Sequence, residues 1–280
     1  MNALQWTCIF TGALLLWFPA LRWPALGALA CGYGLAFWNG QLDLFACAPI
    51  LLLAVAAYAA STQSRWAFAL SAYVLFPLLA VGLFMHWLPG FHNPQVVEPQ
   101  RLTPDAAPFN MYLNLDKPLI GYWLLLAWPY LSLAKPPRVW LSAGLVAMAA
   151  TTAACLGAAL LIGFVGWAPK WPEWGWLWVL NNLLLVSMAE TALFQGYVQD
   201  RLGRLLGKAR LGPIAAIVGA AILFGAAHHA GGWQLIALAG LAGLGNGFAY
   251  RYGGLQAAVI AHFGLNLMHF GLFTYPMLAR

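Results

Sequence analysis

Charge is what this sequence has least of. Its 280 residues include 13 Lys or Arg and 7 Asp or Glu, 7% in all, where a soluble globular domain carries roughly a quarter. With 63% hydrophobic residues and 15 Trp, too little polar surface remains to face water on every side, so an ordinary soluble fold is excluded. No long basic stripe exists either. The formal charge of +6 is scattered among short polar breaks, which argues against a nucleic-acid partner. CxxC pairs are missing, and Cys8, Cys31, Cys47 and Cys155 all sit in apolar stretches. They read as packing residues, with neither a disulfide nor a cysteine metal site expected. The first apolar run, Ala13 to Phe18, has no basic segment before it, so the N-terminus reads as a retained span and not a secretory signal. No internal repeat and no pair of similarly interrupted spans stands out, which weighs against an inverted-repeat transporter.

What the chain does have is apolar length. A spanning helix needs about 20 apolar residues, and candidate runs fall near 3–19, 23–38, 44–60, 66–88, 118–134, 139–165, 175–199, 213–229, 233–250 and 254–273. The expectation is an all-α, polytopic transmembrane bundle of about ten spans, an integral membrane protein with the lipid bilayer as its solvent. Sorting Lys and Arg to alternate sides puts Arg22, Arg65, Lys135, Arg138, Arg201, Arg204, Lys208, Arg210 and Arg251 together, nine against four (Arg101, Lys117, Lys170 and Arg280). The positive-inside rule makes the larger set cytoplasmic. Both termini, and the long polar loop from Pro89 to Lys117, would then face the periplasm or exterior. In the run 233–250, Ala239, Gly243 and Gly247 recur at four-residue spacing, a small-residue stripe of the kind that lets helices approach closely.

An ionisable residue inside a span costs roughly 2.5–3.5 kcal/mol on insertion scales, so the few that occur are the informative ones. Glu190 is the only acidic residue well inside any span. His228 and His229 close the eighth run, and His262 and Asn266, four apart, share one helix face. A desolvated carboxylate beside an imidazole makes a tunable general base. A histidine and an amide aimed at one spot supply what a developing oxyanion needs. Together they suffice to hydrolyse a peptide bond without a serine or cysteine nucleophile. Blander readings stand beside this one. Glu190 alone suits a structural carboxylate or a transport proton site. His228 and His229 suit interfacial histidines, and His262 and Asn266 suit interhelical hydrogen bonding. His269 reads as structural, and His86 and His92 as solvated. Glu190, His228 and His262 would also be a possible zinc set with water in the open position. No HExxH occurs, however, and asparagine is a poor zinc ligand, so metal-free chemistry with no required cofactor is favoured.

At these residues the chain resembles a known family, the CPBP intramembrane proteases, which include type II CAAX prenyl proteases and bacterial membrane proteins linked to bacteriocin immunity. The family's three ordered motifs are EExxxR, FxxxH and HxxxN. Here they read Glu190-Thr191-Ala-Leu-Phe-Gln195, Phe224-Gly-Ala-Ala-His228 and His262-Phe-Gly-Leu-Asn266, within residues 180–270. The resemblance implies that Glu190 is the catalytic glutamate, that His228 helps it activate water, and that His262 and Asn266 hold the oxyanion. Thr191, Gln195, Phe224 and His229 would support them. Thr191 replaces the second glutamate and Gln195 the arginine; losing both charges together leaves no stranded partner, so the two are expected to be a neutral replacement of a supporting pair.

The expected organisation is an accessory bundle over 1–138 and a protease core over 139–280, placed by the resemblance in a bacterial plasma membrane with a membrane-embedded or membrane-anchored protein as substrate. The alternatives are a zinc-dependent form of the same protease, a non-catalytic immunity or scaffold protein, and a proton-coupled transporter. One difficulty is depth. At about 1.5 Å per residue, Glu190 is about 20 Å from Gly203, His228 about 24 Å from Gly212, and His262 about 12 Å from Gly254. Straight, upright helices would not bring these residues level. Tilt, or a turn between the last two spans buried below the surface, would have to supply the difference.

Overall fold

The computed structural model describes residues 2–62, 64–131, 133, 135–207 and 209–279. Lys208 and Arg280, two of the cations sorted above, lie outside them, as do Ser132 and Ala134 of the fifth expected span. Among the described residues the chain is mostly helical: α1 (Ala3–Leu15), α2 (Arg22–Trp38), α3 (Leu44–Ser61), α4 (Arg65–Phe84), α5 (Pro118–Ala127), α6 (Pro137–Leu161), α7 (Gly175–Leu206), α8 (Gly212–Ala227) and α9 (Gly232–Leu272). In place of a structureless polar loop between α4 and α5, strands β1 (Gln95–Gln100) and β2 (Phe109–Tyr112) pair as a two-stranded sheet, a small departure from an all-α fold.

Among the described residues, five segments are long and apolar enough to cross a membrane: α3, α4, α6, α7 and the stretch His229–Leu272 containing α9. The helices α1, α5 and α8 are apolar but shorter than the runs expected there, so ten full-length spans are not confirmed. Proline sets much of the difference. α5 stops at Ala127, where Trp128 turns extended (φ −83°, ψ 107°) ahead of Pro129, as a residue before proline is biased to do. α1 stops at Leu15 and gives way to a short 3₁₀ turn beginning at Pro19.

Two compact units are distinguished, the first comprising residues 1–96, 112–129 and 184–189, and the second 97–111, 130–183 and 190–280. In the first, α1 and α2 interlock through glycines: an added Cβ at Gly12 would lie 2.6 Å from Leu29 Cγ, and one at Gly32 2.6 Å from Ile9 Cγ1. The fully buried Gln5 is satisfied, receiving a bond from Asn39 Nδ2 (2.9 Å) and donating to Gln41 Oε1 (2.6 Å). Cys8 and Cys31 face each other as free thiols, 3.7 Å apart. Gly90, at φ +89°, lets the chain pass so close to α3 that a Cβ would fall 2.2 Å from Ala46 N. Beside it Asp43 caps α3 through Phe45 N (2.8 Å). His86 is not merely solvated. Its Nδ1 lies 2.6 Å from Asp116 Oδ2, and Asp116 is only 2% exposed.

In the second unit, α9 is one continuous helix only by hydrogen bonding. Its backbone breaks at Gly254 (φ 78°, ψ −166°), and contacts with α6 give the consequence. Before the break Leu238 O meets Cys155 Sγ, Gly245 meets Thr151 and Gly253 meets Ala143; after it Ala257 meets Gly144 and Gly264 meets Met148. The chain therefore descends along α6 and climbs back, a helical hairpin folded at Gly254, as the separate ninth and tenth runs anticipated. Gly253, Gly254 and Leu255 are all buried. The first arm also packs on α8. Added Cβ atoms would lie 2.9 Å from Ala221 Cα at Gly243 and 2.8 Å from Ile217 Cγ2 at Gly247, so the small-residue stripe serves close helix packing.

Candidate active site

The helix carrying Glu190 is unusual in its winding. α7 contains two π-helical segments, Asn182–Ser187 and Ala192–Gln199, and the single α-helical stretch between them is Met188–Thr191. π-turns widen a helix, re-aim its side chains and recur at functional sites. Here they bracket Glu190, which is 5% exposed.

Facing it is the second arm of α9. His262 Nε2 lies 3.8 Å from Glu190 Oε2, with both side chains buried. On the other side of the ring, His262 Nδ1 lies 3.0 Å from Thr191 Oγ1. Next to a carboxylate the favourable arrangement has Nε2–H pointing at the oxygens, which requires the Thr191 hydroxyl to donate to Nδ1. One hydroxyl thus fixes which nitrogen faces Glu190. One turn along, Asn266 Nδ2 donates to Asn182 Oδ1 (3.2 Å). Further on, Phe270 stacks on Trp178 with ring centres 4.1 Å apart. Successive residues of the arm, 262, 266 and 270, therefore meet successive turns of α7.

Phe224 of α8 packs against the site. Its ring is 5.4 Å from that of His262, 4.7 Å from that of His228 and 5.1 Å from that of Phe194. His228 Nδ1 is 2.8 Å from Phe224 O, just past the end of α8. His229 is exposed, its Nδ1 3.2 Å from Ala226 O, as an interfacial histidine would be. The depth difficulty is met by the buried fold-back at Gly254, which starts the second arm inside the protein and not at its surface.

Thr191 and Gln195 do not act as a side-by-side pair. Thr191 engages His262, while Gln195 is fully buried and both atoms of its amide lack a hydrogen-bond partner. The π-winding that begins at Ala192 explains why, since four-residue spacing no longer keeps two side chains on one face. Asn182 was not singled out from the sequence. Its signal was there, the only adjacent asparagines in the chain, Asn181-Asn182, inside an apolar run. Among the described residues no group of three His, Cys, Asp or Glu side chains is drawn together as a metal ion would require.

These features define a helical membrane protein with a buried carboxylate, imidazole and amide site on converging helices. Residues 172–268 match the family model described as "Type II CAAX prenyl endopeptidase Rce1-like", and the chain carries in that stretch a domain of the CPBP family. The family is one of membrane proteases. No curated protein and no solved structure matches the chain.

Proposed function

We propose that this domain is an intramembrane endopeptidase in which Glu190 activates the water that attacks a peptide bond. The observation that carries the reading is the buried approach of Glu190 Oε2 to His262 Nε2 (3.8 Å) with Thr191 holding the opposite ring nitrogen. At 3.8 Å the two groups are within the looseness expected before substrate binds.

In the proposed reaction Glu190 takes a proton from water, whose oxygen adds to the scissile carbonyl carbon. Negative charge develops on the carbonyl oxygen, and His262 Nε2–H and the Asn266 amide supply donors for it. The proton held by Glu190 then passes to the leaving nitrogen as the C–N bond breaks, giving a carboxylate and an amine. His228, across the Phe224 ring from His262, assists water activation. Thr191 and Asn182 position His262 and Asn266. The mechanism uses no metal, in keeping with a donor set of one carboxylate and one facing imidazole.

The substrate in this reading is a membrane-embedded or membrane-anchored protein, and the setting a bacterial plasma membrane. The test compares the membrane proteomes of cells making wild-type protein and Glu190→Ala. Proteins shortened only in the presence of the wild type are substrates. Identical proteomes in the two strains contradict the proposal.

A further inference from the structure

A pocket of about 340 Å³ lies at the end of α7, wholly within the second unit. Its wall carries three cations, each from a different element: Lys135 from the segment between α5 and α6, Arg204 from the last turn of α7, and Arg251 from the end of the first arm of α9. All three belong to the larger set of cations that sorts to one side of the chain. A sphere of this volume is about 9 Å across, within the Debye length of about 10 Å at 0.1 M salt. The cations therefore act on one another and on anything placed between them.

Among the described residues the wall holds one carboxylate, Asp200, and Arg204 engages both of its oxygens. Arg204 Nε donates to Asp200 Oδ2 (2.7 Å) and Nη2 to Oδ1 (3.4 Å). Tyr130 lies against the same guanidinium, its ring centre 3.7 Å from Arg204 Cζ. Carboxylate and ring thus hold Arg204 in place before any ligand arrives. Lys135 and Arg251 are exposed, and among the described residues neither has a carboxylate partner. Three cations against one carboxylate leave the wall with a charge of +2. Like charges gathered round one space repel, and an anion between them reverses the sign of the interaction.

We infer that this pocket binds a phosphate group, carried by a phospholipid or free in solution. A planar carboxylate is matched by a single guanidinium fork, as Asp200 already is by Arg204. A tetrahedral phosphate offers oxygens in several directions, which suits cations arriving from three elements. Its charge, about −1 for a diester and about −1.5 to −2 for a monoester or inorganic phosphate, is of the size the wall leaves unbalanced. Bound there, it ties the end of α7 to the end of the first arm of α9 and so stabilises the fold. The inference does not rest on the protease reading, because none of these residues takes part in the proposed reaction.

Thermal unfolding of the purified full-length protein in an uncharged detergent, followed by tryptophan fluorescence at constant ionic strength, tests it. The probes are inorganic phosphate, the short-chain lipid dihexanoyl phosphatidylglycerol, and dihexanoylglycerol, which lacks the phosphate. One or both of the first two should raise the midpoint saturably, and the third should not. A response to phosphatidylglycerol alone assigns the group to a lipid, and a response to inorganic phosphate, with or without it, to a site open to free phosphate. Lys135→Gln combined with Arg251→Gln should weaken the apparent affinity about 10-fold or more, the scale of a lost charged hydrogen bond. Arg22→Gln combined with Arg65→Gln removes the same charge elsewhere and should leave the affinity unchanged. No saturable shift with either phosphate probe, an equal shift with dihexanoylglycerol, or equal affinity in the two double variants would overturn the inference. Should the first double variant fail to fold, Arg251→Gln alone decides by the same comparison.

Discussion

The hydroxyl of Thr191 lies 3.0 Å from His262 Nδ1, and His262 presents its other nitrogen to Glu190. The residue immediately after the glutamate therefore controls the orientation of a histidine 71 positions away. Thr191→Val keeps the shape and removes the hydroxyl, losing a buried hydrogen bond worth about 1 kcal/mol. Cleavage should fall about 5-fold or more, with Thr191→Ser retaining most of it. Equal rates in Thr191→Val and the wild type, measured as initial cleavage rates, would deny Thr191 any positioning role.

Asn182 and Asn266 share one hydrogen bond, so their loss should not be additive. Asn266→Leu is expected to lower cleavage by about 10²-fold, the scale of a lost oxyanion donor. Asn182→Leu should lower it less, and the double variant should be no worse than Asn266→Leu alone. A double variant whose defect equals the product of the two single ones would mean that the asparagines act separately.

The fold-back at Gly254 requires a positive φ, which disfavours any L-residue by roughly 1–2 kcal/mol. Gly254→Ala should lower the thermal midpoint and, by shifting the arm that carries His262, lower cleavage as well. Gly27, where an added Cβ meets nothing within 4 Å, is the control. Gly27→Ala should leave both unchanged or raise the midpoint slightly, as expected for alanine in a helix.

Lys170, in the segment between α6 and α7, offers its ammonium to the carbonyls of Phe273 and Ala168. Burial pulls its pKa down from 10.5 to about 8, with the Asp105 carboxylate opposing the shift. The fold thus binds this proton less well than the unfolded chain does. Between about pH 8 and pH 10.5 the unfolded chain carries more protons, so this group's effect on stability becomes more favourable as pH rises through that window. Acylation of Lys170, followed by peptide mapping against pH, should reach half its maximum near pH 8. A midpoint near 10.5 would contradict the burial argument.

Much of this was legible in the residues. Glu190, His262 and Asn266 stand out because an ionisable or amide side chain in a long apolar run is energetically unfavourable, and the stripe through Gly243 and Gly247 is explained by its contact with α8. The fold-back at Gly254 was also readable as a break between two apolar runs, although its depth was not, because burial of Gly253 to Leu255 depends on α6. The π-turns around Glu190 left no mark in composition or spacing, so the four-residue rule paired Thr191 with Gln195 when the real partner was His262. Asn182 carries no charge, so it lacks the large insertion cost that makes an ionisable group stand out in an apolar run. The shortening of α5 was written in Pro129, although the apolar run itself continues beyond that proline.

The most direct test of the central claim uses purified protein in liposomes with a membrane substrate identified by the proteome comparison. Cleavage is followed for the wild type, Glu190→Gln and His262→Ala, each with and without a zinc chelator. The account predicts that the wild type cleaves regardless of the chelator. Glu190→Gln should lose at least about 10²-fold, the scale of general-base catalysis, and His262→Ala a comparable amount. Undiminished cleavage by Glu190→Gln, or wild-type activity that the chelator abolishes and zinc restores, would contradict it.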